Sequence, residues 1–163
     1  VPQPLRGWHR GFFRGAGQHR GAAGHAAARR VGRVGDGWLV SSATPKEIQE
    51  GRDILFSTAA EFGREIEDDH VGVLLGYYIA PDAEGAAATA HDYITRHRPD
   101  AHFTEYSALG PAEQIVQTIQ EYIDAGAQKF VVRPLCPAEE TIEQLEIMGR
   151  EILPRFLKKP VAH

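Results

Sequence analysis

From Gly35 onward, short apolar runs alternate with longer stretches in which apolar residues recur at helical spacing. The first run, residues 38–40, is bounded by glycine and by two serines, which predicts a short buried strand. The second, residues 70–80, is almost continuously apolar and rich in β-branched and aromatic residues, as is typical of a parallel strand covered on both faces. Residues 129–133 predict a third strand. The sequence therefore predicts three strands separated by helices.

The clearest helix start follows the first strand. Thr44 has the side chain of an N-cap, Pro45 suits the first helical position, and Glu47 completes a capping box. Hydroxyl residues between a strand and a helix start are also common at phosphate-binding sites, because the first helical turn offers unpaired N–H groups. The same pattern is an ordinary way for a strand to turn into a helix.

Three more helices are predicted further along the chain. One runs from about Glu84 to Arg96, one starts at Pro111, and the last starts at Pro137, while residues 98–110 read as irregular. The inward positions predicted for the last helix are Ile142, Leu145, Met148 and Ile152. Strands that alternate with amphipathic helices imply crossover connections, so the predicted fold class is α/β with a parallel sheet.

The charge distribution divides the chain. The first 35 residues hold seven arginines and no acidic residue, whereas the remainder holds the other 11 basic residues and all 22 acidic ones. A basic arm that binds nucleic acid or an acidic partner is one interpretation, and a biased, weakly structured segment is another. The strongly acidic remainder argues against nucleic acid, which we do not expect as a partner.

Bulk properties narrow the class of protein. Apolar runs stay below the ~20 residues needed to cross a membrane, and no signal-peptide pattern is present, so we expect a cytoplasmic protein without membrane contact. The one cysteine, Cys136, has no cysteine companions for a disulfide or a metal cluster. The spacing of His91, His97 and His102 does not fit a metal site either. No metal is expected.

Five segments in order resemble one known family. They are RRVGRVGDGWL (29–39), SSATPKEI (41–48), AAEFGRE (59–65), GPAEQIVQTIQEYIDAGAQKFVVRPL (110–135) and LEIMGREILPRF (145–156). Together they are similar to the C-terminal part of the bacterial luciferase-like monooxygenases, whose members use FMN or a deazaflavin coenzyme (8-hydroxy-5-deazaflavin). Each segment alone is unspecific, but their order and spacing are not.

The resemblance implies a (β/α)₈ TIM barrel. The strands near Trp38, Leu74 and Val131 would be its sixth, seventh and eighth, so the chain would hold the last three β/α units of an incomplete barrel. A whole barrel takes ~250 residues.

The same resemblance suggests domain boundaries. Residues 31–157 would form the luciferase-like domain, and residues 158–163 a tail. Residues 1–30 would be an irregular basic segment rich in Gly, Arg and His, for which a shifted reading frame is our preferred explanation.

Position along the strands selects candidate binding residues, because ligands of a barrel sit at the C-terminal ends of its strands. Ser41, Ser42 and Thr44 follow the first strand, where the family places the phosphate of its flavin. Helix capping by Thr44 and solvated serines explain the same residues without a ligand. Thr44 is the residue for which capping is favoured.

Two more candidates lie at the ends of the other strands. Arg133 is suited to hold a phosphate, or it pairs with Glu139 or Glu140. Tyr78 is a candidate for substrate contact, although a tyrosine at a strand end more often packs with its hydroxyl at the surface. No residue can be assigned a catalytic role.

The resemblance implies a truncated flavin-dependent oxidoreductase or monooxygenase. It would act on a small-molecule substrate, on paired donors with reduction of molecular oxygen or by hydride transfer through FMN or the deazaflavin. A partial barrel should bind flavin poorly, turn over little, and associate as a homo-oligomer or through its exposed sheet edges. The alternative is a non-catalytic β/α module that binds a phosphorylated ligand.

Overall fold

The computed structural model describes residues 13–14, 21–95 and 97–157. Its strands and α-helices, in chain order, are β1 (Phe13–Arg14), α1 (Gly21–Val34), β2 (Trp38–Ser41), α2 (Pro45–Glu61), β3 (Val71–Ile79), α3 (Ala83–His91), β4 (Ser107–Gly110), α4 (Ala112–Asp124), β5 (Lys129–Pro134) and α5 (Thr141–Ile147). A π turn (Met148–Ile152) and a 3₁₀ turn (Leu153–Arg155) continue α5, and further 3₁₀ turns cover Asp68–His70, Phe103–Tyr106 and Ala138–Glu140. The predicted basic segment at residues 1–12 and 15–20 and the predicted tail at 158–163 lie outside the described residues.

Strand β3 is the centre of a five-stranded sheet in which every pairing is parallel. β2 pairs with the first part of β3, so that Ser41 lies opposite Leu74, and β4 pairs with its second part. β5 overlaps both parts and therefore occupies the other edge of β3. The predicted strands β2, β3 and β5 are thus adjacent and parallel, which confirms the α/β class.

The main core lies between one face of the sheet and the helices. Its strand residues are Trp38, Val40, Val71, Val73, Leu75 and Tyr77, and the helices contribute Ile48, Leu55, Ile115, Ile119, Tyr122, Met148 and Ile152. Each large side chain buried in this way stabilises the fold by about 1.5–3 kcal/mol. The layered arrangement explains why apolar residues recur at helical spacing along α2 and α4.

The other face of the sheet is only partly covered. Tyr78 there packs with a smaller cluster formed by Ala86, Ala90, Phe103, Tyr106, Leu109 and Leu135. Val131, whose neighbour across the sheet is Leu74, is 49% exposed. This face of the sheet thus leaves an apolar strand residue open to solvent.

Helix α1 forms in a segment that we expected to be irregular. Its buried residues are small or β-branched, namely Ala27, Ala28 and Val31. Gly32 lies so close to α2 that an added Cβ would stand 2.7 Å from the carbonyl oxygen of Leu55. Small residues let the two helices approach closely, and for that reason no large apolar stripe marks the helix in the sequence. The expectation of an irregular segment is wrong for its described residues from 21 onward.

Two further predictions need correction. Residues 98–110 include β4 and a 3₁₀ turn, and the four-residue strand is too short to show an alternating pattern. In the last helix Ile142 is 65% and Leu145 is 44% exposed, while Met148 and Ile152 are buried as expected. The π turn that begins at Met148 changes the helical phase, so one helical spacing does not describe the whole segment.

Gln144 takes the inward position that apolar residues were expected to fill. Its side chain accepts a hydrogen bond from the backbone N–H of Ile79 at 2.8 Å and donates one to the carbonyl of Ile79 at 2.9 Å. This pair of bonds satisfies the backbone at the end of β3 and fixes α5 against the sheet.

Among residues 21–95 and 97–157, no helix combines the length and the apolar character needed to cross a bilayer.

Candidate functional site

A cavity of about 370 Å³ opens at the carboxyl ends of β2 and β5, beside the middle of β3 and the start of β4. Its lining residues are Ser41, Ser42, Leu74, Gly76, Ile94, Thr95, Tyr106, Ser107, Arg133 and Leu135. They come from strands β2 to β5 and from the segment that connects α3 to β4. Three residues singled out in the sequence, Ser41, Ser42 and Arg133, therefore meet in one place.

Ser42 turns the chain from β2 toward α2 in an unusual backbone conformation. Its φ is +55°, the one left-handed value for a residue other than glycine among the described residues. Such a conformation costs of order 1–3 kcal/mol, and it persists where surrounding contacts enforce it. The turn at Ser42 is thus held in place by its neighbours.

Thr44 caps α2 and does not line the cavity. Its Oγ1 accepts from the backbone N–H of Glu47 at 3.4 Å, and the Glu47 carboxylate accepts from the backbone N–H of Thr44 at 2.8 Å. Both halves of the predicted capping box are present. Because its hydroxyl serves the cap, Thr44 stands beside the cavity as a structural residue.

Among the described residues, Arg133 is the one cation that lines the cavity. Its Nη2 donates to the backbone carbonyl of Tyr93 at 3.0 Å, and in the described part of the chain it has no carboxylate partner. The alternative pairing with Glu139 or Glu140 is not formed. A guanidinium bound only to a carbonyl keeps donors available for an anion.

Tyr78 lies away from the cavity. Its hydroxyl donates to Glu140 at 2.7 Å, and this bond, together with burial, raises the pKa of Tyr78 to about 12. The ring packs in the smaller cluster on that face of the sheet. The hydroxyl is thus already engaged, and nothing in its position supports the predicted contact with a substrate.

Sequence reasoning missed Arg98, which has the most extensive polar contacts near the site. Its Nη1 donates to the carbonyl of Ser42 at 2.9 Å and to Glu47 at 2.7 Å, and its Nη2 donates to Glu47 at 2.6 Å and to Asp100 at 3.0 Å. The Arg98 side chain is only 6% exposed. No local signal announces these bonds, because Ser42 and Glu47 lie more than 50 positions earlier in the sequence.

The ionic contacts of Arg98 set the charge state of Glu47. Burial alone would raise the pKa of that carboxyl group, but its hydrogen bonds to Arg98 and to the backbone of Thr44 outweigh burial and lower the pKa. The Glu47 bond in turn raises the pKa of Arg98. Both groups stay charged at neutral pH, so the negative charge at the start of α2 is paired.

The cavity can bind an anion, but its lining residues offer no conventional acid or base. Hydroxyl-bearing residues of the lining are Ser41, Ser42, Thr95, Ser107 and Tyr106, and in the described part of the chain no Asp, Glu, His or Cys lines the cavity. The pKa of Tyr106 is raised, chiefly by burial. Any redox chemistry here would have to come from a bound group.

A second polar group lies at the opposite edge of the sheet. The ligand atoms of Glu67, Asp69 and His70 all lie within 4.8 Å of one another just before β3 begins. The group is largely exposed, and the ammonium of Lys129 pairs with Asp69 at 3.1 Å. We assign no metal site there, and the expectation that the protein needs no metal stays a prediction.

Solved structures of similar fold include two F420-dependent enzymes and one enzyme solved with FMN. An F420-dependent secondary alcohol dehydrogenase, solved with an F420-acetone adduct, has a TM-score of 0.65 at 17% identity, over 82% of this chain and 47% of its own. The F420-dependent tetrahydromethanopterin reductase of Methanopyrus kandleri has a TM-score of 0.59 at 19% identity, over 82% and 49%. The oxygenating constituent of 3,6-diketocamphane monooxygenase from Pseudomonas putida, solved with FMN, has a TM-score of 0.60 at 12% identity, over 82% and 46%. This chain spans about half the length of each.

Curated protein sequences gave no match. The family model of the luciferase-like monooxygenases matches residues 18–129, which is more than half of the chain. The matched range includes α1, β2, β3 and the turn at Ser42, and so it covers much of the cavity lining. The chain therefore belongs to the luciferase-like monooxygenase family.

Proposed function

We propose that this chain is a flavin- or deazaflavin-dependent oxidoreductase domain and that its cavity binds the phosphate group of FMN or coenzyme F420. The observation that carries the proposal is the meeting of Ser41, Ser42 and Arg133 in one cavity at the carboxyl ends of parallel strands. In α/β folds, ligands bind at that edge.

The donor set fits a phosphate group. Ser41 and Ser42 offer hydroxyl groups, and α2 begins three residues after Ser42, at Pro45, where the positive end of the helix dipole favours an anion. Arg133 supplies a guanidinium without a carboxylate partner in the described part of the chain. One cation, hydroxyl donors and a helix start are the usual means of holding a phosphate.

In this proposal the bound ring system supplies the redox chemistry, either hydride transfer or reaction with oxygen. The chain's own residues bind the phosphate group and shield the ring from water. Arg133 and the two serines hold the phosphate, while Tyr106 and Leu135 form part of the cavity wall. The substrate would be a small molecule of the kind that luciferase-like enzymes oxidise, on paired donors with oxygen or by hydride transfer.

The proposal predicts weak flavin binding and little turnover by this chain alone. The sheet face that carries Val131 is partly open, so water would reach a ring bound against it. The proposal also assigns β2, β3 and β5 to the last three β/α units of a TM barrel. It further includes a location in the cytoplasm, association between copies of the chain, and no nucleic-acid partner.

Binding of FMN and of riboflavin separates phosphate recognition from ring recognition. We expect the chain to bind FMN more tightly than riboflavin. Arg133→Met should weaken FMN binding by about tenfold, because a charge-assisted hydrogen bond contributes about 1.5–3 kcal/mol. Titration calorimetry or fluorescence measures both constants.

Arg155→Met is the matched control, since Arg155 pairs with Glu113 on the surface away from the cavity. Equal affinity for FMN and riboflavin in the wild type, with no effect of Arg133→Met and no binding of F420, would rule the proposal out.

One observation favours a second candidate function, a non-catalytic module that binds a phosphorylated ligand. Among the described residues, none of those that line the cavity is Asp, Glu, His or Cys, and burial raises the pKa of Tyr106. Such a module would bind inorganic phosphate or a sugar phosphate as well as it binds FMN, and it would not alter the rate at which reduced FMN is oxidised. The flavin proposal predicts a clear preference for FMN or F420.

A further inference from the structure

Arg98 connects two parts of the cavity lining, the segment between α3 and β4 and the turn at Ser42. It belongs to the segment between α3 and β4, which contributes Ile94, Thr95 and Tyr106 to the lining. Its guanidinium lies 5.6 Å from the centre of the Tyr106 ring and donates a hydrogen bond to the backbone carbonyl of Ser42. A single buried side chain thus connects two elements that are distant in sequence.

The bond to Ser42 bears on the backbone strain there. Ser42 has a φ of +55°, and its carbonyl accepts from Arg98 Nη1 at 2.9 Å. Without that donor, the carbonyl loses a charge-assisted partner and the turn loses a contact that opposes its relaxation. Relaxation of this turn would move the Ser41 and Ser42 hydroxyls, which both line the cavity.

Arg98 also neutralises a charge beside the cavity. Glu47 accepts from both terminal nitrogens of Arg98, and one of them is the nitrogen that holds the Ser42 carbonyl. A carboxylate at the start of α2 competes with any anion attracted to that helix end. Pairing with Arg98, which also pairs with Asp100, reduces this repulsion.

Arg98 itself has little capacity left for a ligand. Glu47 and Asp100 together receive hydrogen bonds from Nη1, Nη2 and Nε, and Nη1 is shared with the Ser42 carbonyl. Of the described residues, Arg133 is the cation that lines the cavity, whereas Arg98 is not among the lining residues. Arg133 is thus placed to bind an anion, whereas Arg98 holds the loop at Ser42.

We propose that Arg98 is a positioning residue for the anion site, which fixes the Ser42 turn and offsets the charge of Glu47 without touching the ligand. The effect of Arg98 on phosphate binding rests on the proposed function. Its effect on the conformation of the Ser42 turn does not depend on that function. Lysine should not substitute, because a compact ammonium cannot span the Ser42 carbonyl and both Glu47 oxygens as a planar guanidinium does.

The first experiment compares FMN with riboflavin, which lacks the phosphate. In Arg98→Lys and Arg98→Met we expect FMN affinity to fall at least about fivefold while riboflavin affinity stays within about twofold. Arg155→Met, which breaks a surface pair, should change neither. Unchanged FMN affinity in both variants, or an equal loss for FMN and riboflavin, would overturn the positioning role.

A double variant tests the charge on Glu47. Adding Glu47→Gln to Arg98→Met removes the stray carboxylate, and the glutamine can still cap Thr44. We expect FMN affinity to recover by about threefold or more relative to Arg98→Met alone. Lack of recovery would refute the electrostatic half of the proposal.

Amide hydrogen exchange tests the loop without any ligand. We expect exchange at residues 42–48 and 97–106 to become about tenfold faster in Arg98→Lys, with α4 unchanged. Unchanged exchange in these segments would refute the structural half. If wild-type protein prefers neither FMN nor riboflavin, the proposed function fails, and exchange still decides whether Arg98 holds the loop.

Discussion

Glu47 shows how one residue serves both the fold and the site. Its carboxylate completes the capping box with Thr44 and pairs with Arg98 through both oxygens. The capping box was predictable, because its partners are three residues apart and the pattern is local. The Arg98 pair was not, because it depends on how the segment after α3 packs against the β2–α2 turn.

The pKa of Glu47 links this contact to stability. A carboxyl group whose folded pKa lies below its unfolded value of 4.5 stabilises the fold above pH 4.5, and it loses that contribution as the pH falls through the folded pKa. Glu47→Gln should therefore flatten the decline in the free energy of unfolding between about pH 5 and pH 3. Urea denaturation over that range measures the slope.

Glu113→Gln is the control for this prediction. Glu113 pairs with Arg155 at the surface, where solvent screens the interaction. A slope that is the same in wild type and in Glu47→Gln would contradict the assignment of Glu47 as a stabilising charge.

At the scale of elements, the close approach of the α1 and α2 backbones explains why α1 was not predicted from the sequence. α1 packs on α2 through Ala28, Val31 and Gly32, and α1 contains no Leu, Ile, Met or Phe. β2, β3 and β5 were predictable because their apolar runs are continuous. The inward face of α5 was not, because a buried glutamine and a π turn interrupt the expected spacing.

Gly32→Ala tests the contact between α1 and α2. Alanine favours a helix over glycine by about 1 kcal/mol, but its Cβ would stand 2.7 Å from the Leu55 carbonyl and 2.8 Å from Thr58. Overpacking of this kind costs about 1–3 kcal/mol, so the steric term should win and the free energy of unfolding should fall. Thermal or urea denaturation measures the change.

Gly149→Ala is the matched control, since an added Cβ there meets nothing within 4 Å. It should leave stability unchanged or raise it slightly. A stabilising effect of Gly32→Ala would show that α1 does not pack on α2 as described.

At the scale of the whole molecule, the sheet has one well-covered face and one open face. Exposed apolar residues mark the open side and the last helix, namely Val131, Ile142, Leu145 and Leu153. In the described part of the chain β5 pairs only with β3, so its other edge offers free hydrogen-bonding groups. Family membership and the parallel sheet could be predicted from the sequence, but the extent of this exposure depends on tertiary packing.

The exposed edge and face predict association between copies of the chain. Sedimentation velocity should show a mass that increases with protein concentration, and Val131→Lys should shift the equilibrium toward monomer, because a charge on an edge strand opposes pairing. Val34→Lys is the control, since Val34 is 60% exposed on α1. A concentration-independent monomer in the wild type would contradict the prediction.

The most direct measurement of the central claim is an NMR titration of the ¹⁵N-labelled chain with FMN, repeated with riboflavin. If the cavity holds the phosphate group, FMN should shift the amide signals of Ser41, Ser42 and Leu135 and the N-terminal turn of α2, and riboflavin should shift them much less. Equal shifts with both compounds, or shifts confined to the opposite edge of the sheet near His70, would contradict a phosphate site at the carboxyl ends of the strands.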